Sequence, residues 1–209
     1  MNQDQQAEQL TRRQANRVTN REAIIDAARV VFAELGQGAT TVRDIIRRTD
    51  LASGTFYNYF DSKEAVFQSL TDEIGNDLRA QLSAARARAK TFEEFVENSF
   101  FTYFNFYAKD PQTYNLVRTN RGVDAFPAWI NGRQSKSGLD EMRHDMVEAM
   151  ADGVIPKVDV GFLTVSMGGV AFSVLDEMMA RQPIDPVAAA RFATRLFMSG
   201  ISGMQKQDD

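Results

Sequence analysis

The sequence predicts an all-α protein, in which a small helix-turn-helix domain precedes a larger helical domain. Three observations carry this prediction. Apolar residues recur at the three-and-four spacing of amphipathic helices along successive segments of the chain. Helix-starting and helix-ending signals separate these segments, and no segment alternates as a β-strand would. Two of the helices near the N-terminus are short and joined by a tight turn, which is the layout of a helix-turn-helix.

The first nineteen residues are polar and show no apolar periodicity, so we expect a flexible basic arm over residues 1–19. Its arginines Arg12, Arg13 and Arg17 could contact a phosphate backbone or a minor groove, or the arm could have no specific role. Asn20 is then the expected N-cap of a helix that ends near Leu35, before two glycines.

The helix-turn-helix follows, and each of its helices has a hydroxyl side chain at the expected start. Thr41 caps residues 42–48, the connection is residues 49–52, and Ser53 caps residues 54–59. Ser62 caps a longer helix. The whole unit spans residues 20–70, which leaves residues 71–209 for the second domain.

The second domain contains an aromatic helix over residues 91–107, a helix over residues 137–150, a long apolar helix from Val158 to Ala180 and a last helix from Val187 to Ser202. Asp185 and Pro186 form the start signal of that last helix, because proline is favoured at the first helical position.

The composition restricts the class of protein. The 209 residues include no cysteine, which excludes disulfides and thiolate metal sites. The N-terminus lacks the apolar region of a secretory signal, and the longest apolar stretch reaches Asp176 before it could span a membrane. We therefore expect a soluble cytoplasmic protein with no membrane partner.

Charge is distributed unevenly along the chain. Residues 10–63 contain nine basic and six acidic side chains, whereas residues 71–209 contain fifteen and nineteen. A basic N-terminal domain on an acidic body is typical of a nucleic-acid-binding module joined to a sensor domain, although ordinary scatter of surface charge gives the same picture.

The N-terminal pattern resembles the signature of the TetR (tetracycline repressor) family. The resemblance rests on residues 40–70, TTVRDIIRRTDLASGTFYNYFDSKEAVFQSL, and above all on GTFYNYF at residues 54–60 followed by Ser62, Lys63 and Glu64. It covers about fifty residues. Two positions depart from many relatives: Asp50 stands where they have glycine, and Ile46 where they have alanine. Both leave the operator sequence open.

The resemblance implies a dimeric DNA-binding transcriptional regulator, most often a repressor, with double-stranded operator DNA as its partner. It implies base contacts from the N-terminal part of the recognition helix and phosphate contacts around it. Small residues there let the backbone approach the bases, Asn58 suits a base edge, and tyrosine hydroxyls suit phosphates. The alternative for Tyr57 and Tyr59 is that they pack in the core. The predicted DNA-contacting residues are Thr41, Arg43, Ser53, Gly54, Thr55, Tyr57, Asn58, Tyr59 and Lys63.

The second domain is expected to form a homodimer and to bind a hydrophobic effector. The helices from Val158 to Ala180 and from Val187 to Ser202 have the apolar faces and small residues of a four-helix interface, or else they form an intramolecular core. The aromatic residues exceed what one helix needs for packing, so they could line a cavity or form plain core. The candidate cavity residues are Phe95, Phe100, Tyr103, Phe104, Tyr107, Tyr114, Arg118, Phe126 and Trp129.

Residues 138–143 and 185–197 show a looser likeness to the family's acyl-CoA-responsive regulators of fatty-acid metabolism. It implies a long-chain acyl-CoA effector, with Arg118, Arg121 or Arg133 meeting its head group. The alternative is a multidrug-sensing or other lipophilic-compound-sensing repressor of an efflux gene. In either case no cofactor is implied.

The sequence gives little support to an enzyme or a metal protein. Its one histidine, His144, lies among acidic residues on a predicted helix, and zinc sites usually need more nitrogen or sulfur ligands. No nucleophile with a base and no phosphate-binding glycine loop is evident. A purely structural helical protein remains the third alternative.

Overall fold

A computed structural model describes residues 3–120 and 138–204, and their side chains over residues 15–120 and 140–200. Within these ranges all regular structure is helical, as the sequence predicts. The helices are α1 (Gln3–Ala39), α2 (Val42–Ile46), α3 (Ser53–Phe56), α4 (Lys63–Arg86), α5 (Phe92–Lys109), α6 (Pro111–Thr119), α7 (Gly138–Ala151), α8 (Val160–Ala180) and α9 (Pro186–Met204).

The described residues divide into two compact units. The head consists of residues up to Asp72 together with residues 115–120, and the body consists of residues 73–114 and 138–204. Helices α4 and α6 therefore each have one end in the head and the other in the body. The sequence-based boundary assigns residues 115–120 to the second domain, whereas they lie in the head unit.

Helix α1 begins at Gln3 and not at Asn20, so the prediction that Asn20 is an N-cap is wrong, and residues 3–19 are helical here where the sequence suggested a flexible arm. The physical reason lies in composition. Residues 3–19 are rich in Gln, Glu, Ala and Arg, which are good helix formers, and contain neither Gly nor Pro. The predicted glycine break is confirmed at Gly36, whose φ of 77° and ψ of 157° interrupt the helix.

The start of α2 is confirmed, and the start of α3 is corrected. Thr41 is the N-cap of α2, which ends at Ile46. Ser53 is the first residue of α3 and not its cap, because Ala52 occupies the N-cap position without a side-chain bond. The helix ends at Phe56, since the amides of Tyr59 and Phe60 both donate to the Phe56 carbonyl in a closing turn.

The head core is built from aromatic and aliphatic side chains of four helices. Phe32 of α1 and Phe67 of α4 are fully buried and meet edge to face, with ring centroids 5.0 Å apart. Ile45 of α2 and Phe56 of α3 are also fully buried. Because α2 and α3 are each about one turn long, this packing and not their own hydrogen bonding keeps them helical.

The body core is centred on α5, whose N-cap Thr91 is confirmed as a helix start. Helix α9 packs against α5 through Phe197 and Phe100, with ring centroids 5.5 Å apart, and α8 packs against it through Phe172. The predicted start of α9 is confirmed, because the Asp185 carboxylate accepts from the amides of Val187 and Ala188 at 3.0 and 2.9 Å.

Helix α8 is also the one described helix whose length and apolar composition would allow it to cross a membrane. Core and interface helices of soluble proteins satisfy the same criterion, so this observation has little weight by itself.

Candidate nucleic-acid interface and sensor body

Along α3 and the turn after it, the side chains divide into buried and exposed ones as the sequence predicts. Phe56 and Phe60 are buried, at 0% and 7% exposed, whereas Tyr57 is 60% exposed. Ser53, Gly54 and Asn58 are exposed, and Tyr59 is half-buried. A four-residue spacing therefore holds two aromatic side chains in the core and turns Tyr57 and Asn58 between them outward.

Gly54 is not required by the fold. A Cβ built at this position meets no atom within 4 Å, and the backbone does not have a positive φ. Glycine in a helix costs about 0.5–1 kcal/mol relative to alanine. Alanine would therefore fit at this position within the chain itself, and the exposed backbone of Gly54 is open to close approach by another molecule.

A polar groove lies between α1 and the turn after α3. It has a volume of about 590 Å³ and is lined by Arg17, Val18, Arg21, Asn58 and Tyr59. The Asn20 side-chain amide donates to the Tyr59 hydroxyl at 3.2 Å. The local sequence pattern does not reveal this bond, because the bond connects residues 39 positions apart in the chain.

Arg21 is held rigidly at the edge of this groove. Its guanidinium lies over the Phe60 ring, with its central carbon 5.1 Å from the ring centroid, and donates to the Ser69 hydroxyl at 2.8 Å. Such a cation–π contact restricts the side chain and keeps the charge at a fixed place.

Thr41 is engaged in a complete capping box. Its hydroxyl donates to the Asp44 carboxylate at 2.5 Å and accepts from the Asp44 amide at 3.3 Å, and its own amide donates to that carboxylate at 2.9 Å. The bond from the Thr41 hydroxyl, and to a smaller extent the bond from the Thr41 amide, lower the pKa of Asp44. Arg43, by contrast, is exposed on the same helix.

Lys63 is also engaged within the head. Its ammonium nitrogen donates to the carbonyls of Gln37, Gly38 and Thr40 at 2.8, 3.2 and 2.7 Å. An ammonium group has three N–H donors, so this arrangement uses all of them. Lys63 thereby closes the C-terminal end of α1. A phosphate contact from Lys63 stays a prediction, and it would have to replace one of these bonds.

The break at Gly36 exposes backbone groups that the end of α6 then satisfies. In an unbroken helix the Gln37 amide would donate to the Ala33 carbonyl. It donates instead to Asn120 Oδ1 at 2.6 Å, and the Thr119 hydroxyl donates to the Ala33 carbonyl at 3.0 Å. Asn120 Nδ2 also donates to the Phe32 and Leu116 carbonyls at 2.9 and 2.8 Å. Asn120 is fully buried, and nothing in the local sequence pattern indicated this role.

The candidate cavity residues of the body are packed against each other. Phe95, Phe100, Phe104 and Tyr107 are at most 2% exposed. The rings of Phe100 and Phe104 stack at 5.9 Å, and those of Tyr103 and Tyr107 meet at 5.2 Å. The phenol of Tyr114 donates to Asp176 at 3.1 Å.

Three further candidates remain. Arg118 is exposed and belongs to the head, while Phe126 and Trp129 lie outside the described residues, as do Arg121 and Arg133. A cavity of about 310 Å³ lies in the body, between α8 and α9, and is lined by Val158, Asp159, Phe162, Leu163, Ser166, Val170, Leu196, Phe197 and Gly200. The effector cavity among the aromatic residues stays a prediction.

The body contains a buried ion pair that the sequence did not reveal. Arg86 at the end of α4 donates to Asp145 of α7 at 2.8 Å and to the Ser99 hydroxyl of α5 at 3.2 Å. The side chains are 6% and 17% exposed. Burial lowers the pKa of Arg86, and the bond to Asp145 opposes that effect. Three helices are thus joined at one charged contact.

Helices α8 and α9 carry a set of large apolar side chains that the body leaves in solvent. The exposed fractions are 74% for Phe162, 52% for Val165, 50% for Val187, 62% for Phe192 and 51% for Leu196. Large apolar side chains clustered on neighbouring helices usually mark an interaction surface.

The described residues contain no group of three or more His, Cys, Asp or Glu side chains arranged to hold a metal ion. His144 is exposed and lies 3.3 Å from Glu148 on the same helix.

A short helix with an open, small-residue N-terminus, held on a compact four-helix head, has the layout of a helix-turn-helix. Residues 24–70 match the family model of bacterial regulatory proteins of the tetR family. Over these residues the chain is similar to the TetR family.

Similar proteins with curated names are regulators. The HTH-type transcriptional repressor KstR2 of Rhodococcus jostii is 33% identical over 84 residues, which are 38% of this chain and 41% of KstR2. The A-factor receptor protein of Streptomyces griseus is 38% identical over 61 residues, which are 29% of this chain and 22% of that protein. These alignments span less than half of either relative.

Solved structures extend the likeness to the body. The fatty acid degradation regulator FadR from Bacillus halodurans has a TM-score of 0.73 at 22% identity, over 86% of this chain and 95% of that one. FadR from Bacillus subtilis, in complex with stearoyl-CoA, has a TM-score of 0.72 at 24% identity, over 86% and 98%. At these identities the comparison establishes the fold alone.

Proposed function

We propose that this protein is a transcriptional repressor that reads its operator through the N-terminal end of α3. The observation that carries the proposal is that Ser53, Gly54, Tyr57 and Asn58 are exposed around the buried Phe56, so the surface of α3 and of the turn after it is open to another molecule. Ser53, Gly54 and Thr55 let the backbone approach the base edges, while Asn58 and Tyr57 supply side-chain contacts. Tyr59 and Arg43 are the nearby donors to the DNA backbone.

Glycine-to-alanine substitutions test this proposal with a matched control. The duplex is one selected by the full-length protein from a random-sequence pool, and random duplex is the competitor. Gly54→Ala should keep or slightly raise thermal stability, because alanine is the better helix former, yet weaken operator binding at least tenfold. Gly38→Ala also adds a Cβ to open space in the head and should bind like the wild type. Normal operator binding by Gly54→Ala would disprove the assignment.

We further propose that the protein acts as a homodimer, as TetR-family regulators do, through the exposed apolar side chains of α8 and α9. Two recognition helices must enter successive major grooves about 34 Å apart, and one chain supplies only one of them. Phe192→Glu should give a monomer in sedimentation equilibrium and lose operator binding. Phe101→Glu, which changes a 39% exposed phenylalanine of α5, is the control and should stay dimeric.

For the effector we propose a long-chain acyl-CoA that releases the operator. The support is the aromatic content of α5 and the fold shared with a regulator solved with stearoyl-CoA. Because the α5 rings of Phe100 and Tyr103 pack against Phe197 of α9 and Phe172 of α8, with centroids 5.5 and 6.2 Å apart, an acyl chain entering between them must separate helices. Ligand binding of that kind necessarily distinguishes two conformations. The alternative is an amphipathic drug sensed by a repressor of an efflux gene.

Titrations of each compound with and without operator distinguish the two classes of effector. Stearoyl-CoA and a cationic amphipathic dye are each titrated calorimetrically into the protein, with and without bound operator duplex. The active class should bind more weakly in the presence of operator, by the same factor by which it weakens operator binding. An affinity that operator leaves unchanged would exclude that compound as the effector.

We propose that helices α4 and α6 couple effector binding to operator binding, because each helix is held by side-chain bonds at both ends. Lys63 and Asn120 fix their head ends, and Arg86 and Tyr114 fix their body ends. A helix fixed in this way transmits a displacement of one end to the other.

A further inference from the structure

Two ion pairs join α7 to the C-terminal half of α4. Arg86 pairs with Asp145 at 2.8 Å, and Arg79 pairs with Glu141 at 3.3 Å. The two arginine side chains are only 6% and 13% exposed, so both pairs lie largely out of solvent. The pairs follow the same order along both helices. A single contact would let α7 turn about it, whereas two contacts at different points fix the direction of α7 relative to α4.

The pair at the end of α4 is also bonded to a third helix. Arg86 donates to the Ser99 hydroxyl of α5 at 3.2 Å, and the Asn98 side-chain amide donates to the Ala85 carbonyl at 3.1 Å. The C-terminal end of α4 is therefore fixed to α5. Arg79 lies about 10 Å closer to the N-terminus of α4, at a rise of about 1.5 Å per residue. If α4 turns about its fixed end, Arg79 is displaced and the α7 carboxylate bonded to it follows.

The contact between α7 and α8 is of a different kind. Met146 of α7 is fully buried, and its sulfur lies 3.4 Å from the Thr164 hydroxyl of α8. That hydroxyl is only 2.6 Å from the Val160 carbonyl of its own helix, and its one hydrogen goes to this stronger acceptor. Met142 of α7 and Met167 of α8 are also buried. Unbranched thioether side chains adapt to a changed surface, so this contact tolerates a shift that a charged hydrogen bond does not.

We propose that α7 and the C-terminal half of α4 form one rigid piece, which moves over α8 when the protein passes between its operator-free and operator-bound states. The inference rests on the proposed DNA-binding function and adds to it: α7 belongs to the moving part of the body, and the movement takes place across its methionine contact with α8. Arg79 and Glu141 are the positioning residues, because without their pair α7 is held to α4 at one point alone.

Distances between pairs of spin labels test this division of the body. The chain contains no cysteine, so a label attached to an introduced cysteine has a defined place. Exposed alanines supply the sites: Ala80→Cys on α4 and Ala151→Cys on α7 report the α4–α7 distance, and Ala151→Cys with Ala180→Cys on α8 reports the α7–α8 distance. Labelled chains are diluted into unlabelled ones, so that each dimer carries one labelled chain. On addition of the selected operator duplex, the α7–α8 distance should change by about 1–2 Å or more, and the α4–α7 distance should stay the same.

Variants of the outer ion pair test its positioning role. Glu141→Gln removes one charge from α7 and leaves the pair of Arg86 in place. In this variant the α4–α7 distance should become dependent on operator, with a broader distribution. Glu148→Gln removes the same charge from an exposed position of α7 and should behave like the wild type. Arg79→Glu should act like Glu141→Gln, and the double variant Arg79→Glu/Glu141→Arg should restore the wild-type distances, which a general loss of folding could not do.

The outcomes separate this inference from the proposed function. A wild-type α4–α7 distance that changes with operator, or an α7–α8 distance that does not, would overturn the rigid piece. An α4–α7 distance in Glu141→Gln that stays independent of operator would overturn the role of the outer pair. If the wild type binds the selected duplex no better than random duplex, the proposed function fails instead, so the two failures are distinguishable.

Discussion

Asn120 offers the sharpest test of how the head is held together. Its side chain is fully buried and satisfies the backbone groups that the kink at Gly36 leaves without helical partners. Asn120→Ala removes the acceptor of the Gln37 amide and the donor to the Phe32 carbonyl, and leaves the remaining fold of α6 in place. The variant should therefore loosen the end of α1 without unfolding the body.

The magnitude follows from the bonds that are lost. Asn120 makes three side-chain hydrogen bonds, of 2.6, 2.9 and 2.8 Å. A net contribution of about 1 kcal/mol for each gives a destabilisation of about 3 kcal/mol. Asn120→Asp keeps the acceptor for the Gln37 amide but turns a carboxylate oxygen toward two carbonyls, so it should destabilise at least as much. Thr119→Val removes one exposed bond and should cost less than about 1 kcal/mol.

Urea unfolding at fixed protein concentration gives the free energies, and hydrogen exchange read by mass spectrometry locates the change. In Asn120→Ala, peptides covering residues 31–40 should exchange faster by the factor that corresponds to the lost free energy, about a hundredfold for 3 kcal/mol. Peptides around Arg86 should exchange at the wild-type rate. A change of less than 0.5 kcal/mol, or equal acceleration in both regions, would refute the idea that Asn120 fastens the kink.

Three other predictions follow from bonds within the two units. Lys63→Met should lower the free energy of unfolding by about 2 kcal/mol, after allowance for partial exposure. It should leave the salt slope of DNA binding, which is the change of log affinity with log salt concentration, unchanged. A slope lower by about 0.9 per head would show a phosphate contact instead. Asp145→Asn should cost about 3 kcal/mol in urea unfolding because it leaves the buried Arg86 without its counter-charge, and a cost below 1 kcal/mol would contradict this. The depressed pKa of Asp44 means that its bonds to Thr41 stabilise the head above about pH 4 and are lost as the pH falls through the lower folded-state pKa. The stability difference between wild type and Asp44→Asn should therefore shrink on acidification, and a difference independent of pH would exclude the ionised cap.

The sequence predicted best those features that are determined within a few residues. Thr41, Ser62 and Asp185 were recognisable because a cap and the amides it binds lie three residues apart or less. The split of Phe56 and Phe60 from the residues between them was equally local. Such features need only one periodicity and one side chain, and both are visible in the printed sequence.

Features that depend on residues far apart in the sequence were not predicted. Asn20 has the composition of a cap, yet good helix formers precede it, and its side chain bonds to Tyr59 instead. The pairing of Arg86 with Asp145 joins residues 59 positions apart, and neither residue belongs to a recognisable motif. Asn120 was missed for the same reason, since its partners follow the distant kink in α1. Local pattern cannot show which remote backbone group will need a donor.

Lys63 and Arg17 illustrate a different limit, which concerns the role of a residue and not its position. A lysine at the start of α4 suits a phosphate because it is cationic, and it suits the open carbonyls at the end of α1 for the same reason. Only the distances of 2.7–3.2 Å to three carbonyls distinguish the two roles. Arg17 lay in a segment that the sequence suggested to be a flexible arm. Once that segment is helical, the side chain of Arg17 lies on the wall of the groove that Tyr59 also lines.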